Sequence, residues 1–169
     1  WGAKSVYEGA ANGARAVSVP GIRSPEDWRR LPRLDAKKGV LGAQNAALAR
    51  AAKELAGTVP ILQTVFSPLT TARKLAGESV LEHLRGDPAA LEAGLRTITD
   101  TTIEFSLAAL AAGAHGLFFA TQLATTDVLT VAEYEEFGKQ FDLQIFSAIR
   151  EKAKMHMLHL HGENVMFDL

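Results

Sequence analysis

Thr58-Val59-Pro60-Ile61-Leu62-Gln63-Thr64-Val65-Phe66 is the stretch that decides how this chain folds. Nine residues are too few for a core-forming helix, and the run is too continuously apolar for a strand with one wet face. Its β-branched and aromatic side chains fit a strand buried in a parallel sheet. Two later runs read the same way, Gly116-Leu117-Phe118-Phe119-Ala120-Thr121 and Met155-His156-Met157-Leu158-His159-Leu160-His161-Gly162. The segments between them carry apolar residues at helical spacing. This alternation predicts an α/β domain in which strands near 59–66, 116–121 and 155–161 lie side by side and parallel.

The helices announce themselves by their ends. Asp35 is expected to cap a helix from about Ala36 to Ala56, stopped by Gly57. Ser67-Pro68 opens a short helix, Leu69 to Ala76, and a second runs from Glu78 to Arg85. Asp87-Pro88 opens the longest helix, reaching about Ala112, with Leu91, Leu95, Ile98, Thr102, Phe105 and Ala109 as its apolar seam. Thr130 and Glu133 have capping-box spacing, and Leu129 and Tyr134 that of a hydrophobic staple. The helix that follows carries Phe137, Phe141, Ile145 and Ile149 on one face, with Gly138 as a candidate kink. Residues 1–34, punctuated by glycine and proline, read as a surface excursion with short extended pieces. Within it, Ser24-Pro25-Glu26-Asp27-Trp28 forms a capped turn anchored by Trp28 and Leu31.

Bulk composition narrows the function. The chain has 169 residues, 47% of them hydrophobic and 22% charged, enough for one domain with a real core. A formal net charge of -1 argues against nucleic acid or an anionic membrane as partner. No apolar run approaches the roughly 18 residues of a membrane span. The absence of cysteine excludes disulfides and thiolate chemistry and fits a reducing cytoplasm. A closed eightfold barrel takes about 250 residues. The expectation is therefore a single partial domain over residues 1–169, roughly half of a barrel or doubly wound sheet, cut from a larger protein.

In either architecture chemistry collects at the carboxyl ends of the strands. Those ends are Phe66-Ser67, Ala120-Thr121-Gln122 and His159-Leu160-His161. Strand alternation puts His159 and His161 on one face and His156 on the other. Two neighbouring imidazoles suit a metal site or a proton-handling pair, and equally suit ordinary strand-end histidines. Ser67 reads as a helix cap or a binding group, and Thr121 and Gln122 as loop hydrogen-bonders or site residues. Lys74 is expected to point to solvent and His83 to be exposed. His115 is expected to be structural, at the end of the sheet opposite the cleft, and Glu135-Glu136 to form a solvated face.

An ordered set of segments resembles the uroporphyrinogen decarboxylase family. It comprises Pro25-Glu26-Asp27-Trp28-Arg29-Arg30-Leu31, Val59-Pro60-Ile61, Phe66-Ser67-Pro68-Leu69-Thr70 with Gly77, and Ala112-Gly113-Ala114-His115-Gly116-Leu117-Phe118-Phe119. Glu133-Tyr134-Glu135-Glu136-Phe137 and Leu158-His159-Leu160-His161-Gly162 complete it. The resemblance implies a partial (β/α)8 barrel with parallel strands, helices outside, and a cleft at the strand ends.

It also implies one of two chemistries. The decarboxylases remove acetate carboxyls from a tetrapyrrole in porphyrin biosynthesis without a cofactor. In that reading Thr121, His159 and His161 are catalytic, and Ser67, Lys74 and Gln122 bind substrate. Thr121 stands where the family has a serine, and Lys74 where it has a tyrosine. The family's essential aspartate would precede Trp1. The other branch comprises zinc-dependent methyltransferases acting between corrinoid proteins and thiols. Their His-x-Cys pair is similar to His159-Leu160-His161, which would make His159 and His161 zinc ligands. A barrel that holds a tetrapyrrole or corrinoid without turnover is a third reading. The expected partner is thus a small molecule, and a homodimer is left open.

Overall fold

The three apolar runs form one parallel sheet. The computed structural model describes residues 1–169 apart from Ala10, Asn12, Ala14 and Lys154. An antiparallel pair, β1 (Lys4–Tyr7) and β2 (Arg15–Val19), precedes the short helix α1 (Pro25–Arg29) and the helix α2 (Gly39–Leu55). Strand β3 (Leu62–Phe66) leads into α3 (Pro68–Ala76), α4 (Ser79–Gly86) and the long α5 (Pro88–Ala111). Strand β4 (Gly116–Thr121) is followed by α6 (Val131–Tyr134), a π turn over Glu135–Lys139, α7 (Gln140–Ile149) and β5 (Met157–Leu160). The sheet order is β3-β4-β5, parallel throughout, with Phe66 paired to Ala120 and Ala120 to His159.

One face of the sheet carries the core. Val65, Leu117 and Phe119 point from it into a cluster with Phe105 of α5 and Ile145 and Ile149 of α7. Helix α5 has 24 residues, which at 1.5 Å per residue spans about 36 Å. Its amino-terminal half therefore reaches a second core, built from segments that follow the strands' carboxyl ends. There Leu91, Leu95 and Ile98 meet Trp28, Leu69, Leu123, Phe137 and Phe141. All six seam residues predicted for α5 are buried.

Several expectations are corrected. Only β4 is buried along its length; β3 is half-covered and β5 largely exposed, because each has a strand neighbour on one side only. Helix α2 starts at Gly39 with Lys38, not Asp35, in the cap position and no side-chain cap. The Asp35 carboxylate accepts the Lys37 N–H at 2.8 Å, and its carbonyl accepts the Lys38 N–H. An aspartate bonded to the backbone two residues on closes a local turn that competes with the helix start. His83 is buried rather than exposed, because α4 packs it against Trp28, whose indole N–H donates to His83 Nδ1 at 3.0 Å. His115 is structural as expected: its Nδ1 accepts the Ile61 N–H at 3.1 Å, closing the amino-terminal end of the sheet.

The kink expected at Gly138 takes the form of the π turn. Thr130 and Glu133 make the predicted capping box, and Leu129 and Tyr134 are both buried in one cluster. Two α-helical turns take about 7.2 residues, and a π turn inserts roughly one more. Residues eight apart then stack on one stripe, which is how Tyr134 comes over Asp142. The Tyr134 ring lies against Gly138, where an added Cβ would overlap its edge carbons. Gly138→Ala is expected to cost about 1–3 kcal/mol through this overpacking, read as a lowered denaturation midpoint at unchanged slope.

Candidate functional site

The sheet face opposite the core carries the groups with chemistry. Register puts Phe66, Ala120 and His159 in one row across the three strands, with neighbouring strands about 4.8 Å apart. Alternation places Thr64, Phe118 and Met157 in the row below, and His161 one step above. The His159 ring stacks on Phe118 at 5.3 Å between centroids and lies 5.9 Å from the His161 ring. Lys74 reaches back from α3 so that its Nζ sits 4.6 Å from the centre of the Phe66 ring. It therefore caps the carboxyl end of β3 instead of pointing away into solvent, a contact in which cation and ring attract. Aromatic faces, one ammonium and two imidazoles thus share an accessible surface. His156, on the other face, accepts the Leu117 N–H at 3.3 Å and meets Phe146 edge-on.

Ser67 and Thr121 lie elsewhere, buried beneath the strand ends. Ser67 caps α3 by accepting the Thr70 N–H at 3.2 Å, and its hydroxyl lies 2.7 Å from Thr70 Oγ1 and 3.3 Å from Thr121 Oγ1. Thr70 Oγ1 accepts the Gln122 N–H at 3.0 Å, which ties the Gln122 loop to α3. The structure therefore brings His159 and His161 together with Lys74 nearby on the sheet face. It brings Ser67, Thr121 and the Gln122 backbone together in a hydroxyl cluster behind that surface. By alternation Thr121 points with Leu117 and Phe119 to the helix side.

Beside that cluster lies a pair the sequence did not single out. Tyr134 donates its hydroxyl to Asp142 Oδ2 at 3.0 Å, and both line one cavity with Thr121. Asp142 Oδ1 is buried without a partner, against a cavity of about 150 Å³ lined by Thr121, Tyr134, Lys139, Phe146 and Leu160, among others. Burial pushes the Asp142 carboxyl up to about 7, against the opposing effect of the Tyr134 hydrogen bond. Burial and the neighbouring carboxylate likewise push the Tyr134 phenol well above its ordinary value. Residues 134 and 142 meet because of the π turn around Gly138, whose change of phase the helical period does not announce. Phe66 and Phe118 read as core residues until the open face shows them. At the surface, Glu133 is held down to about 2, chiefly by the Arg85 guanidinium at 2.8 Å.

The chain has clear relatives. The sequence model "Uroporphyrinogen decarboxylase (URO-D)" matches residues 9–168. The uroporphyrinogen decarboxylase of Rhodococcus opacus is 32% identical over 154 residues, 87% of this chain and 42% of that protein. A methylated-thiol–coenzyme M methyltransferase of Methanosarcina mazei is 27% identical over 153 residues, 88% of this chain and 40% of that protein. A solved methyltransferase structure from Methanosarcina mazei superposes with a TM-score of 0.81 at 19% identity, covering 96% of this chain and 48% of that one. The chain spans about two-fifths of the curated relatives it matches. The parallel strands with helices around them form part of a (β/α)8 barrel. With its family model matched over nearly its whole length, the chain belongs to the uroporphyrinogen decarboxylase family.

Proposed function

We propose that this face of the barrel belongs to a carboxy-lyase that decarboxylates acetate side chains of a uroporphyrinogen-like tetrapyrrole. The observation that carries the reading is the row Phe66–Ala120–His159 with Lys74 above Phe66 and His161 beside His159. Aromatic faces suit the flat pyrrole rings, and the ammonium suits a side-chain carboxylate. In the reaction the carbon–carbon bond to the carboxylate breaks, carbon dioxide leaves, and the electron pair stays on the methylene carbon. An imidazolium at His159 or His161 delivers a proton to that carbon, giving the methyl group. Imidazole as a residue type exchanges protons near neutral pH and is suited to that step. The two Rhodococcus decarboxylases, at 32% and 31% identity, support this reading.

A second reading, metal-dependent methyl transfer to a thiol, is favoured by the His-x-His spacing and by the Methanosarcina relative. Zinc takes four donors, at least three of them protein side chains in catalytic sites. Among the described residues no third histidine or carboxylate stands with His159 and His161. The pair by itself does not make a zinc centre.

His159→Ala and His161→Ala in the full-length protein separate the readings. For the lyase, carbon dioxide release is expected to fall about 10²–10⁴-fold while the metal content of the purified protein stays negligible. Stoichiometric zinc, lost together with activity in both variants, would establish methyl transfer instead. Unchanged turnover in both would remove the histidines from the mechanism.

A further inference from the structure

The segments that leave β4 and β5 are clasped to each other. Directly after β5 the His161 N–H donates to the Thr121 carbonyl at 3.0 Å. Gly162 then turns the chain with a φ of 139°, a conformation that residues with a side chain rarely adopt. The chain returns antiparallel to the segment after β4. The Asn164 carbonyl accepts the Thr126 N–H at 3.0 Å, Val165 bridges Thr125, and the Met166 N–H donates to the Ala124 carbonyl at 2.9 Å. Met166 anchors this return in the second core, with Leu123, Ala124 and Leu129.

One side chain ties the clasp together. Asp127 Oδ1 accepts the Asn164 side-chain N–H at 2.6 Å, and Oδ2 accepts the Thr125 hydroxyl at 3.0 Å and the Asn164 backbone N–H at 3.5 Å. Bonds to a carboxylate are shorter and stronger than those between neutral groups. The Asn164 amide, and after it the Thr125 hydroxyl, hold the Asp127 carboxyl below its ordinary range, so it remains an acceptor at neutral pH. The local turn is already closed by the Thr125 hydroxyl, which accepts the Asp127 N–H at 3.3 Å. The bonds to Asn164, 37 positions away, serve the other segment.

Only Gly162 and Glu163 separate Asn164 from His161. The two histidines of the open face are held differently. His159 sits inside β5, paired with Ala120 and stacked on Phe118. His161 lies exposed beyond the end of the strand, and among the described residues its ring meets that of His159 alone. Its place is therefore set by its backbone, pinned before the turn by Thr121 and after it by the clasp at Asn164.

We propose that Asp127 is a positioning residue: by tying Asn164 to the segment after β4, it fixes the backbone that carries His161 and so the separation of the His159 and His161 imidazoles. Its bonds go to Thr125 and Asn164, and it acts on His161 through Asn164. That the placed imidazole delivers a proton rests on the lyase reading; its placement does not.

The test uses the full-length protein with isotope-labelled histidine, each ring assigned by its alanine variant. Wild type is expected to show NMR cross-peaks between the His159 and His161 rings. Asp127→Ala and Asn164→Ala remove the same bond from opposite sides. Each is expected to abolish those cross-peaks while His159 keeps its contact with Phe118. In turnover each is expected to lower kcat by up to about 10²-fold with little change in KM, and the double variant to lose no more than either single one. Ring cross-peaks that persist in either variant, or are absent from wild type, overturn the proposal. So does a lowered unfolding temperature with unchanged ring signals, the mark of a merely structural tie, or a double variant that loses the sum of both. Should one single variant fail to fold, the other decides. Absence of decarboxylation in wild type would defeat the lyase reading and leave the cross-peaks in place.

Discussion

Replacing Trp28 with alanine is expected to remove about 3–5 kcal/mol of folding free energy. Trp28 is 1% exposed and reaches across from α1 to other elements of the core. Its ring edge packs so closely on Gly94 of α5 that a Cβ there would stand 2.6 Å from Trp28 Cε3. Its indole N–H is the partner of His83 Nδ1, and the two rings meet edge-on at 6.2 Å. Truncation leaves both a cavity and an unpaired buried acceptor on α4. Trp28→Phe keeps most of the apolar bulk and loses only the hydrogen bond, so its cost is expected to be about 1–3 kcal/mol. For a protein of this size each kcal/mol lowers Tm by about 2–4 °C, so calorimetry should place Trp28→Ala roughly 6–20 °C below wild type. A change in Tm of a degree or two would mean that α1 is not part of the cooperative core.

The second large effect is a dependence of stability on pH. Asp142 has a carboxyl pKa raised from 3.8 to about 7 in the folded protein. The native state therefore binds this proton more tightly than the unfolded chain does. Between about pH 4 and 7 the native state holds more protons, so its stability falls as pH rises, and above about 7 the loss is complete. A tenfold difference in proton affinity is worth about 1.4 kcal/mol, which sets a ceiling of about 4 kcal/mol on the whole effect. Glu133 works in the opposite sense and in a different window. Its pKa is lowered to about 2, so its contribution is present above about 4.5 and lost only in stronger acid. Asp142→Asn should flatten the slope between pH 4 and 7 in urea titrations and make the variant the more stable protein at pH 8. The difference between the two curves isolates Asp142. Parallel curves would mean that the carboxylate finds a partner in solution.

Much of the fold was legible in the chain because it is encoded by near neighbours. The three short apolar runs are strands of one parallel sheet as their length and composition indicated, although only β4 is buried along its length, and the six-residue seam of α5 repeats with helical period. The predicted Thr130–Glu133 capping box also holds, since a cap and its third residue are fixed by one turn of backbone. The pairing of His159 with His161 follows from strand alternation alone and needed no tertiary information.

What the sequence left undecided depends on contacts between distant residues. Nothing local distinguishes His83 from an exposed helical histidine, because its burial comes from Trp28, 55 positions away. Asp35 has the chemistry of a helix cap, yet its own turn competes with the helix start and wins. Ser67 and Thr121 end their strands as expected, but the burial of their hydroxyls behind the cleft, against each other and Thr70, exists only once α3 packs on the strand ends. Tyr134 and Asp142 meet through one extra residue in a helical turn, a change of phase that a 3.6-residue period cannot announce. Periodicity and capping are properties of the chain by itself; burial, and the changes in proton affinity that follow from it, exist only once separate segments exclude water together.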